Sequence, residues 1–145
     1  MTTVRHILSE KRPGTWTIVP GSTVFEALQR MAEKDVGALL VVDGDGRLTG
    51  IFSERDYARK GILLGRLSKD TPIGDVMTTR VYYVTPDHRL EECLALMTEK
   101  HVRHLPVLEQ GRICGVVSIG DVGKALIADR EFIIANLERY ISGER

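Results

Sequence analysis

The feature that most constrains this chain is an internal repeat. Residues 115–121 (GVVSIGD) end an apolar run with the pattern Ser-x-x-Asp, and residues 50–56 (GIFSERD) have the same design. With an offset of 66 residues, which becomes 65 after the turn, 14 of the 37 positions from 20 to 56 are identical to their counterparts. About two identities are expected by chance from average composition. The repeat therefore predicts two like units, packed about a pseudo-twofold axis, rather than a solenoid.

Composition is that of an ordinary globular protein and argues against several function classes. The chain has 145 residues, 43% hydrophobic and 28% charged, with a formal net charge of zero. No basic surface for nucleic acid is indicated, and no apolar run approaches the ~18–20 residues of a membrane span. The N-terminus lacks the apolar core of a secretory signal. We expect a cytoplasmic protein, without nucleic-acid or membrane partners, in which Cys93 and Cys114 are reduced core residues.

Local patterns predict an α+β fold in which each repeat has the order β-α-β-β-α. Predicted strands lie at 16–19, 36–42, 48–53, 81–85, 102–108 and 113–118. Thr23 and Glu26 have capping-box spacing at the start of the first long helix, and Asp87 is the expected cap of its counterpart. Further predicted helices run from Ser53 or Glu54 to about residue 64, and from Asp121 to about residue 141. The apolar positions predicted for the first long helix are Val24, Leu28, Met31 and Ala32.

The predicted repeats divide the chain almost equally. Residues 1–64 form the first repeat with an N-terminal helical segment, 65–72 form a connector, and 73–145 form the second repeat with a long last helix. Short apolar openings recur at 4–8 and 73–77. Each opening precedes the first strand of its repeat, and the first could dock one apolar face on the body of the protein.

Taken together, these motifs resemble a tandem pair of cystathionine-β-synthase (CBS) domains, also called a Bateman module. The motifs are the Ile-x-Asp-Val-Met opening, SERDY at 53–57, VRHLPV at 102–107 and VSIGDV at 117–122. The resemblance covers almost the whole chain and is closest to the small stand-alone CBS-pair proteins of bacteria and plant organelles. It implies a regulatory binding module rather than an enzyme, a homodimer, and a regulated protein supplied in trans.

The resemblance also implies a ligand and its site. Family members bind adenosine-bearing ligands in clefts between the two repeats, so we expect AMP, ADP or ATP, with NAD as the main alternative. The family pattern assigns the ribose hydroxyls to Asp56 and Asp121 and a phosphate to Ser53 and Ser118. Adenine would lie against Ile18, Pro20, Gly37 and Ala38 in one cleft, and against Tyr83, Val84, Thr85, Arg103, His104 and Pro106 in the other. Each cleft is expected to combine the strands of one repeat with the aspartate of the other.

From the residues alone, the Ser-x-x-Asp motif has two interpretations. A carboxylate can accept two hydrogen bonds from a cis-diol, and the first turn of a helix attracts phosphate. Serine and aspartate are also preferred N-cap residues, so both motifs could simply cap helices. A ligand-free dimeric adaptor is therefore an alternative function. A nucleotide-hydrolysing enzyme is a further alternative, although no catalytic cluster in the sequence supports it.

The two motifs differ in the residues that they enclose. Glu54 and Arg55 separate serine from aspartate in the first motif, whereas Ile119 and Gly120 do so in the second. Arg55, joined by Arg103 or His104 in a crossed arrangement, would make the Asp56 cleft the more cationic one, unless these are solvated surface charges.

Other charged and metal-ligating residues carry weaker signals. Lys11 and Arg12 could reach a diphosphate, but a solvated loop is the favoured interpretation. The pair His101 and His104 is not completed by a Cys or carboxylate cluster, so we expect no metal site.

Overall fold

The computed structural model of the chain describes residues 2–11 and 14–142, apart from several side chains beyond residue 131. The described residues form two compact units. Residues 14–82 make up one, here called the central unit, and the described residues of 1–13 and 83–145 make up the other, the terminal unit. In chain order the helices and strands are α1 (Val4–Glu10), β1 (Thr17–Ile18), α2 (Val24–Lys34), β2 (Ala38–Val42), β3 (Leu48–Ser53), α3 (Glu54–Asp56), α4 (Leu90–Lys100), β4 (His104–Glu109), β5 (Arg112–Ser118) and α5 (Ile119–Ser142).

The central unit contains a three-stranded sheet of order β1-β2-β3. Strand β1 runs parallel to β2, with α2 as the crossover, and β2 runs antiparallel to β3. The predicted capping box of α2 is confirmed, because Thr23 Oγ1 accepts from Glu26 N at 3.2 Å while Thr23 N donates to Glu26 Oε1 at 3.5 Å. The helix buries Val24, Ala27 and Met31. Ala32, predicted for the same stripe, is exposed, and Ala27 is buried instead.

The turn between β2 and β3 follows from aspartate and glycine chemistry. Asp43 Oδ1 accepts from the backbone N–H groups of Asp45 and Arg47, both at 2.9 Å, and Gly46 has φ of +79°. Strand β3 leads directly into α3, which continues as a π-helix at Tyr57–Ile62. A 3₁₀ turn follows at Ile73–Asp75. Ile73 and, just after the turn, Val76 are buried in the same core as Phe52.

The terminal unit is built on the antiparallel β4-β5 hairpin. Gln110 and Gly111 have φ of +51° and +76°, which is the conformation of a tight hairpin turn. Helix α1 packs in this unit, with Val4 fully buried and Ile7 nearly so. Its backbone is also fixed there, since Val4 N donates to His88 O and Arg5 N to Pro86 O, each at 2.9 Å.

The strand predicted at 81–85 does not form. Val84 makes an isolated parallel bridge to β4, donating from its N–H to Pro106 O at 3.0 Å and accepting from Leu108 N at 2.9 Å. A longer parallel ladder would need an N–H from Pro106 on one side of this bridge and from Pro86 on the other. Proline has no N–H, so the pairing stops after one residue.

Two further local predictions are wrong. Helix α4 begins at Leu90 with Arg89 as its N-cap, and Asp87 instead forms an ion pair with Arg5 at 3.3 Å. Cys93 is buried, and burial raises the pKa of its thiol to about 11. Cys114, however, is exposed, because it lies on the outward side of β5. Both cysteines are free thiols.

The compact units do not coincide with the sequence repeats. Helix α1, the opening of the first repeat, lies in the unit that holds the second repeat's strands, and residues 73–77 lie in the unit that holds the first repeat's strands. The repeat boundaries and the pseudo-twofold packing stay predictions. Among the described helices, none is both long and apolar enough to cross a membrane.

Candidate functional site

The first Ser-x-x-Asp motif caps α3 in the central unit. Ser53 is the last residue of β3 and has extended backbone angles, which makes it the N-cap. Its N–H donates to Asp56 Oδ2 at 3.0 Å, and Asp56 N donates to Ser53 Oγ at 3.3 Å. Each side chain therefore accepts a hydrogen bond from the backbone N–H of the other residue, which is the reciprocal pattern of a capping box.

Both oxygens of the Asp56 carboxylate are engaged. Oδ2 accepts from Ser53 N and from Ser53 Oγ at 3.1 Å, while Oδ1 accepts from Thr78 Oγ1 at 2.8 Å. Lys60 Nζ lies 3.6 Å from Oδ1, and Asp56 as a residue is 8% exposed. Because Oδ2 already has two donors, a bidentate hold on a diol would have to replace one of the existing bonds to that oxygen.

The second motif caps α5 in the terminal unit with a different set of neighbours. Ser118 N donates to Asp121 Oδ2 at 2.8 Å, and Asp121 N donates to Ser118 Oγ at 3.1 Å. Lys11 Nζ also donates to Oδ2, at 2.8 Å, and to Val116 O at 2.9 Å. Within the described part of the chain, Oδ1 of Asp121 has no hydrogen-bond donor, and the side chain is 25% exposed. Asp121 is thus the more exposed of the two carboxylates, and among the described residues one of its oxygens has no donor, whereas both oxygens of Asp56 have at least one.

The surroundings of Asp121 keep it ionised. Burial, the largest single influence, favours the neutral acid, but the hydrogen bonds from Lys11 and Ser118 and the positive charge of Lys11 together outweigh it. The pKa of Asp121 is therefore lowered from its ordinary value. Near neutral pH this carboxylate is a charged acceptor, which is the state that a ribose diol would need.

The remaining predicted residues of the central unit are positioned by their strands. Ala38 pairs with Ser53 across β2 and β3, and Gly37 O accepts from Glu54 N at 3.2 Å. The structure therefore brings Gly37 and Ala38 next to the first motif. Ile18 is buried in β1, and Pro20 follows that strand, with its carbonyl accepting from Gly74 N.

The corresponding residues of the terminal unit repeat this arrangement. His104 pairs with Ser118 across β4 and β5, and Arg103 O accepts from Ile119 N at 2.8 Å. Thr85 Oγ1 lies 2.9 Å from His88 Nδ1, and Tyr83 is 55% exposed. Side chains of Val84 and Pro106 are buried, as are those of Ile18 and Ala38 in the other unit, so these four could meet a ligand mainly through backbone atoms.

Three polar residues beside the aspartates were missed or misjudged from the sequence. Thr78 and Lys60 contact Asp56, and neither was singled out. Lys11 was expected in a solvated loop but is paired with Asp121. The similar openings at 4–8 and 73–77 were the available signal, because Thr78 follows the second and Lys11 the first. Arg55 is exposed, and Arg12 lies outside the described residues.

The described residues contain no group of three or more His, Cys, Asp or Glu side chains that could hold a metal ion. His101 ends α4 with φ of +56°, whereas His104 lies in β4. Each of these histidines takes part in an interaction within the protein.

Comparison with known proteins gives the family. The CBS-domain model matches residues 4–62 and 73–128. CBSX3, a mitochondrial CBS domain-containing protein of Arabidopsis thaliana, is 38% identical over 98% of this chain and 73% of its own length. A solved protein with CBS domains from Burkholderia ambifaria MC40-6 is 50% identical, with a TM-score of 0.85 over 88% of this chain and 96% of the other. The CBS domain pair of protein MJ0100, solved with 5′-methylthioadenosine and S-adenosyl-L-methionine, has a TM-score of 0.78 at 23% identity over 88% of this chain and 98% of the other, a likeness of fold alone. The duplicated motifs and these matches show that the chain belongs to the CBS-domain family, as a tandem pair of CBS domains.

Proposed function

We propose that this CBS pair is a regulatory module that binds an adenosine-bearing ligand and acts on a partner protein in trans. The ligand is an adenine nucleotide, AMP, ADP or ATP, with NAD as the main alternative. The observation that carries the proposal is Asp121, an ionised, partly exposed carboxylate with one oxygen that accepts no hydrogen bond within the described part of the chain.

The chemistry around Asp121 suits a nucleoside phosphate. A carboxylate can accept both hydroxyls of a ribose cis-diol, and Oδ1 is available for the first of them. The carboxylate lies in the first turn of α5, a helix of 24 residues whose N-terminus favours anions. Ser118 and Lys11 add a hydroxyl and a cation at the same junction. These groups can bind the ribose and the phosphate, while recognition of the adenine would restrict the site to adenosine-bearing ligands.

The family supports the ligand class without naming the ligand. The solved CBS pair of MJ0100 carries two adenosine-bearing molecules, but its likeness to this chain extends to the fold alone. The adenosine half is common to AMP, ATP, NAD and S-adenosylmethionine. The preference for a nucleotide comes from the cations of this chain, Lys11 and Arg55, which favour a ligand that bears phosphate.

Asp56 is proposed as the weaker of two sites. Three hydrogen bonds already reach its buried carboxylate, and a bidentate hold on a diol would have to replace one of the two from Ser53 to Oδ2. Arg55 is nearby and exposed, so a phosphate could offset part of that cost. The crossed pairing of each aspartate with the other repeat's strands stays a prediction.

Homodimer formation and the cytoplasmic location also belong to the proposal. Ile127 and Ile134 on α5 are 61% and 46% exposed, and Leu63 and Leu64 after the π-helix are exposed as well. Exposed apolar groups of this kind are typical of association surfaces. Light scattering on the eluting protein would give the mass of the assembly.

The test is calorimetric titration with AMP, ATP, NAD and S-adenosylmethionine. We expect binding of at least one nucleotide, and Asp121→Ala should weaken it about tenfold or more, since hydrogen bonds to a charged group contribute roughly 1.5–3 kcal/mol. Asp45→Ala is the matched control, because Asp45 is exposed in the β2-β3 turn and uses its backbone N–H there. Circular dichroism would check that each variant is folded.

Two results would reject the proposal in favour of its rivals. Absence of binding by all four compounds would favour a ligand-free adaptor in which the motifs are helix caps. Conversion of ATP, ADP or NAD to product by the pure protein, abolished in Asp121→Ala, would show an enzyme.

A further inference from the structure

Lys11 makes a specific contact with the carboxylate that is proposed to hold the ribose. Its Nζ lies 2.8 Å from Asp121 Oδ2 and 2.9 Å from Val116 O, and its side chain is 39% exposed. The ammonium group therefore links Val116, near the end of β5, to Asp121 in the first turn of α5. The central unit has a weaker counterpart, since Lys60 Nζ is 3.6 Å from Asp56 Oδ1.

The position of Lys11 is fixed by the helix that precedes it. Arg5 pairs with Asp87 at 3.3 Å and with Glu109 at 2.9 Å, and Val4 and Ile7 are buried in the terminal unit. Leu8 packs over Gly115, where a Cβ would come within 2.8 Å of Leu8 Cδ2. The backbone N–H of Lys11 donates to Ile7 O, which holds the residue at the end of α1. Lys11 is thus delivered to Asp121 by a docked helix.

Lys11 and a diol compete for the same oxygen. Oδ2 already accepts from Ser118 N and Lys11 Nζ, which accounts for the two lone pairs of a carboxylate oxygen. A bidentate hold on a cis-diol needs both oxygens, so the ammonium group must leave Oδ2. The displaced cation then lacks a counter-charge. A phosphate on the ligand supplies one, whereas uncharged adenosine does not.

We propose that Lys11 is the residue that selects phosphate-bearing over uncharged adenosine ligands at the Asp121 site. In the ligand-free protein it occupies one of the two lone pairs of Oδ2, which weakens the binding of every diol equally. Once displaced, it contributes a charge-assisted hydrogen bond to a ligand with phosphate. This inference rests on the proposed function and goes beyond it in assigning the selection of ligand charge to one side chain.

The experiment compares adenosine with AMP in calorimetric titrations of the wild type and Lys11→Met. Methionine retains the apolar stem and removes the charge. We expect adenosine to bind up to about fivefold more tightly in Lys11→Met, given the modest strength of partly exposed ion pairs. The ratio of the AMP affinity to the adenosine affinity should fall about tenfold, because the phosphate has lost a charged donor.

Two further variants separate charge from packing. Lys11→Arg keeps a cation and should keep most of the preference for AMP. Lys69→Met removes the same charge from an exposed residue of the central unit, whose ammonium group lies over the Phe25 ring, and should leave both affinities unchanged.

The outcomes distinguish this inference from the proposed function. If Asp121→Ala abolishes binding but the ratio of the two affinities is the same in the wild type and Lys11→Met, the function stands and the role of Lys11 is wrong. If neither ligand binds to any of the proteins, the proposed function fails and the role of Lys11 fails with it. A reduced ratio in Lys69→Met as well would indicate a general effect of net charge and would also overturn the role of Lys11.

Discussion

Gly50 and Gly115 occupy equivalent positions in the two repeats, and each lies beneath the opening segment of the other repeat. A Cβ built on Gly50 would lie 2.8 Å from Met77 Sδ and 2.9 Å from Thr78 O. On Gly115 it would lie 2.8 Å from Leu8 Cδ2, with no backbone atom among its nearest neighbours. The absence of a side chain at these positions lets the opening segments approach the hairpins closely.

We predict that Gly50→Ala destabilises the protein more than Gly115→Ala. The end of the Leu8 side chain can rotate away, whereas Thr78 O is held in a backbone bridge to Ile51. Overpacking typically costs about 1–3 kcal/mol, and Gly50→Ala should lie near the upper end. Denaturant unfolding would measure both free energies.

Gly44→Ala provides the control for this pair. A Cβ added to Gly44 would have no heavy atom of the described residues within 4 Å, and the φ of Gly44 is not positive. Its substitution should be neutral or stabilise by up to about 1 kcal/mol through the unfolded state. Equal losses at Gly50 and Gly115 would contradict the distinction between backbone and side-chain obstruction.

The sequence could identify the two aspartates but not their inequality. Ser53 and Asp56 match Ser118 and Asp121 in residue type and spacing, so a local pattern treats the two motifs alike. The difference arises from Thr78 and Lys11, which are distant along the chain and reach the carboxylates through packing. Contacts of that kind depend on the fold rather than on local composition.

At the scale of elements, local chemistry predicted most helices and strands. Strand β3 has the predicted bounds, and α2 begins at the predicted capping box. The strand predicted at 81–85 and the helix cap predicted at Asp87 did not form, because both depended on contacts with residues distant in the sequence. Pro106 in β4 helps to end the pairing of Val84, and Arg5 in α1 takes the carboxylate of Asp87.

We predict that Thr23→Ala lowers the free energy of unfolding by about 1 kcal/mol, the usual effect of losing an N-cap. Thr23 Oγ1 accepts from Glu26 N at 3.2 Å, and alanine would leave that N–H without its side-chain acceptor. Thermal and denaturant unfolding would measure the change.

Thr98→Ala is the matched control within a helix. Thr98 is exposed in the interior of α4, where its hydroxyl donates to Leu94 O at 2.8 Å. Alanine is the better helix former, so this change should be neutral or stabilising. A loss at Thr98 as large as that at Thr23 would argue against the capping role.

At the scale of the whole molecule, the chain exchanges its opening segments between units. Helix α1 belongs to the first repeat by sequence but packs with residues 83–142, and Ile73–Asp75 packs with the strands of the first repeat. The sequence showed that the two openings are alike. Because they are alike, their apolar pattern could not decide which hairpin each would cover. Which unit each opening segment packs in is therefore decided by chain connectivity and packing.

Val4 and Ile73 provide a matched test of this exchange. Both are fully buried and both begin an opening segment, one in the terminal unit and one in the central unit. We predict that Val4→Ala increases amide hydrogen exchange in α4, β4 and β5, even though β1 is much nearer to it in sequence. Ile73→Ala should increase exchange in β1, β2 and β3. Each substitution opens a cavity in a core, at a cost of about 2–5 kcal/mol for isoleucine and less for valine.

Hydrogen-exchange mass spectrometry under native conditions would resolve the two responses, because local openings within a structure differ in free energy. Faster exchange at Thr17–Ile18 and Ala38–Val42 in Val4→Ala, with β4 and β5 unchanged, would contradict the exchange of segments. A response confined to the terminal unit would show that α1 stabilises the strands of the second repeat rather than those of its own. The same coupling would connect Lys11, at the end of α1, to the stability of the motif that it contacts.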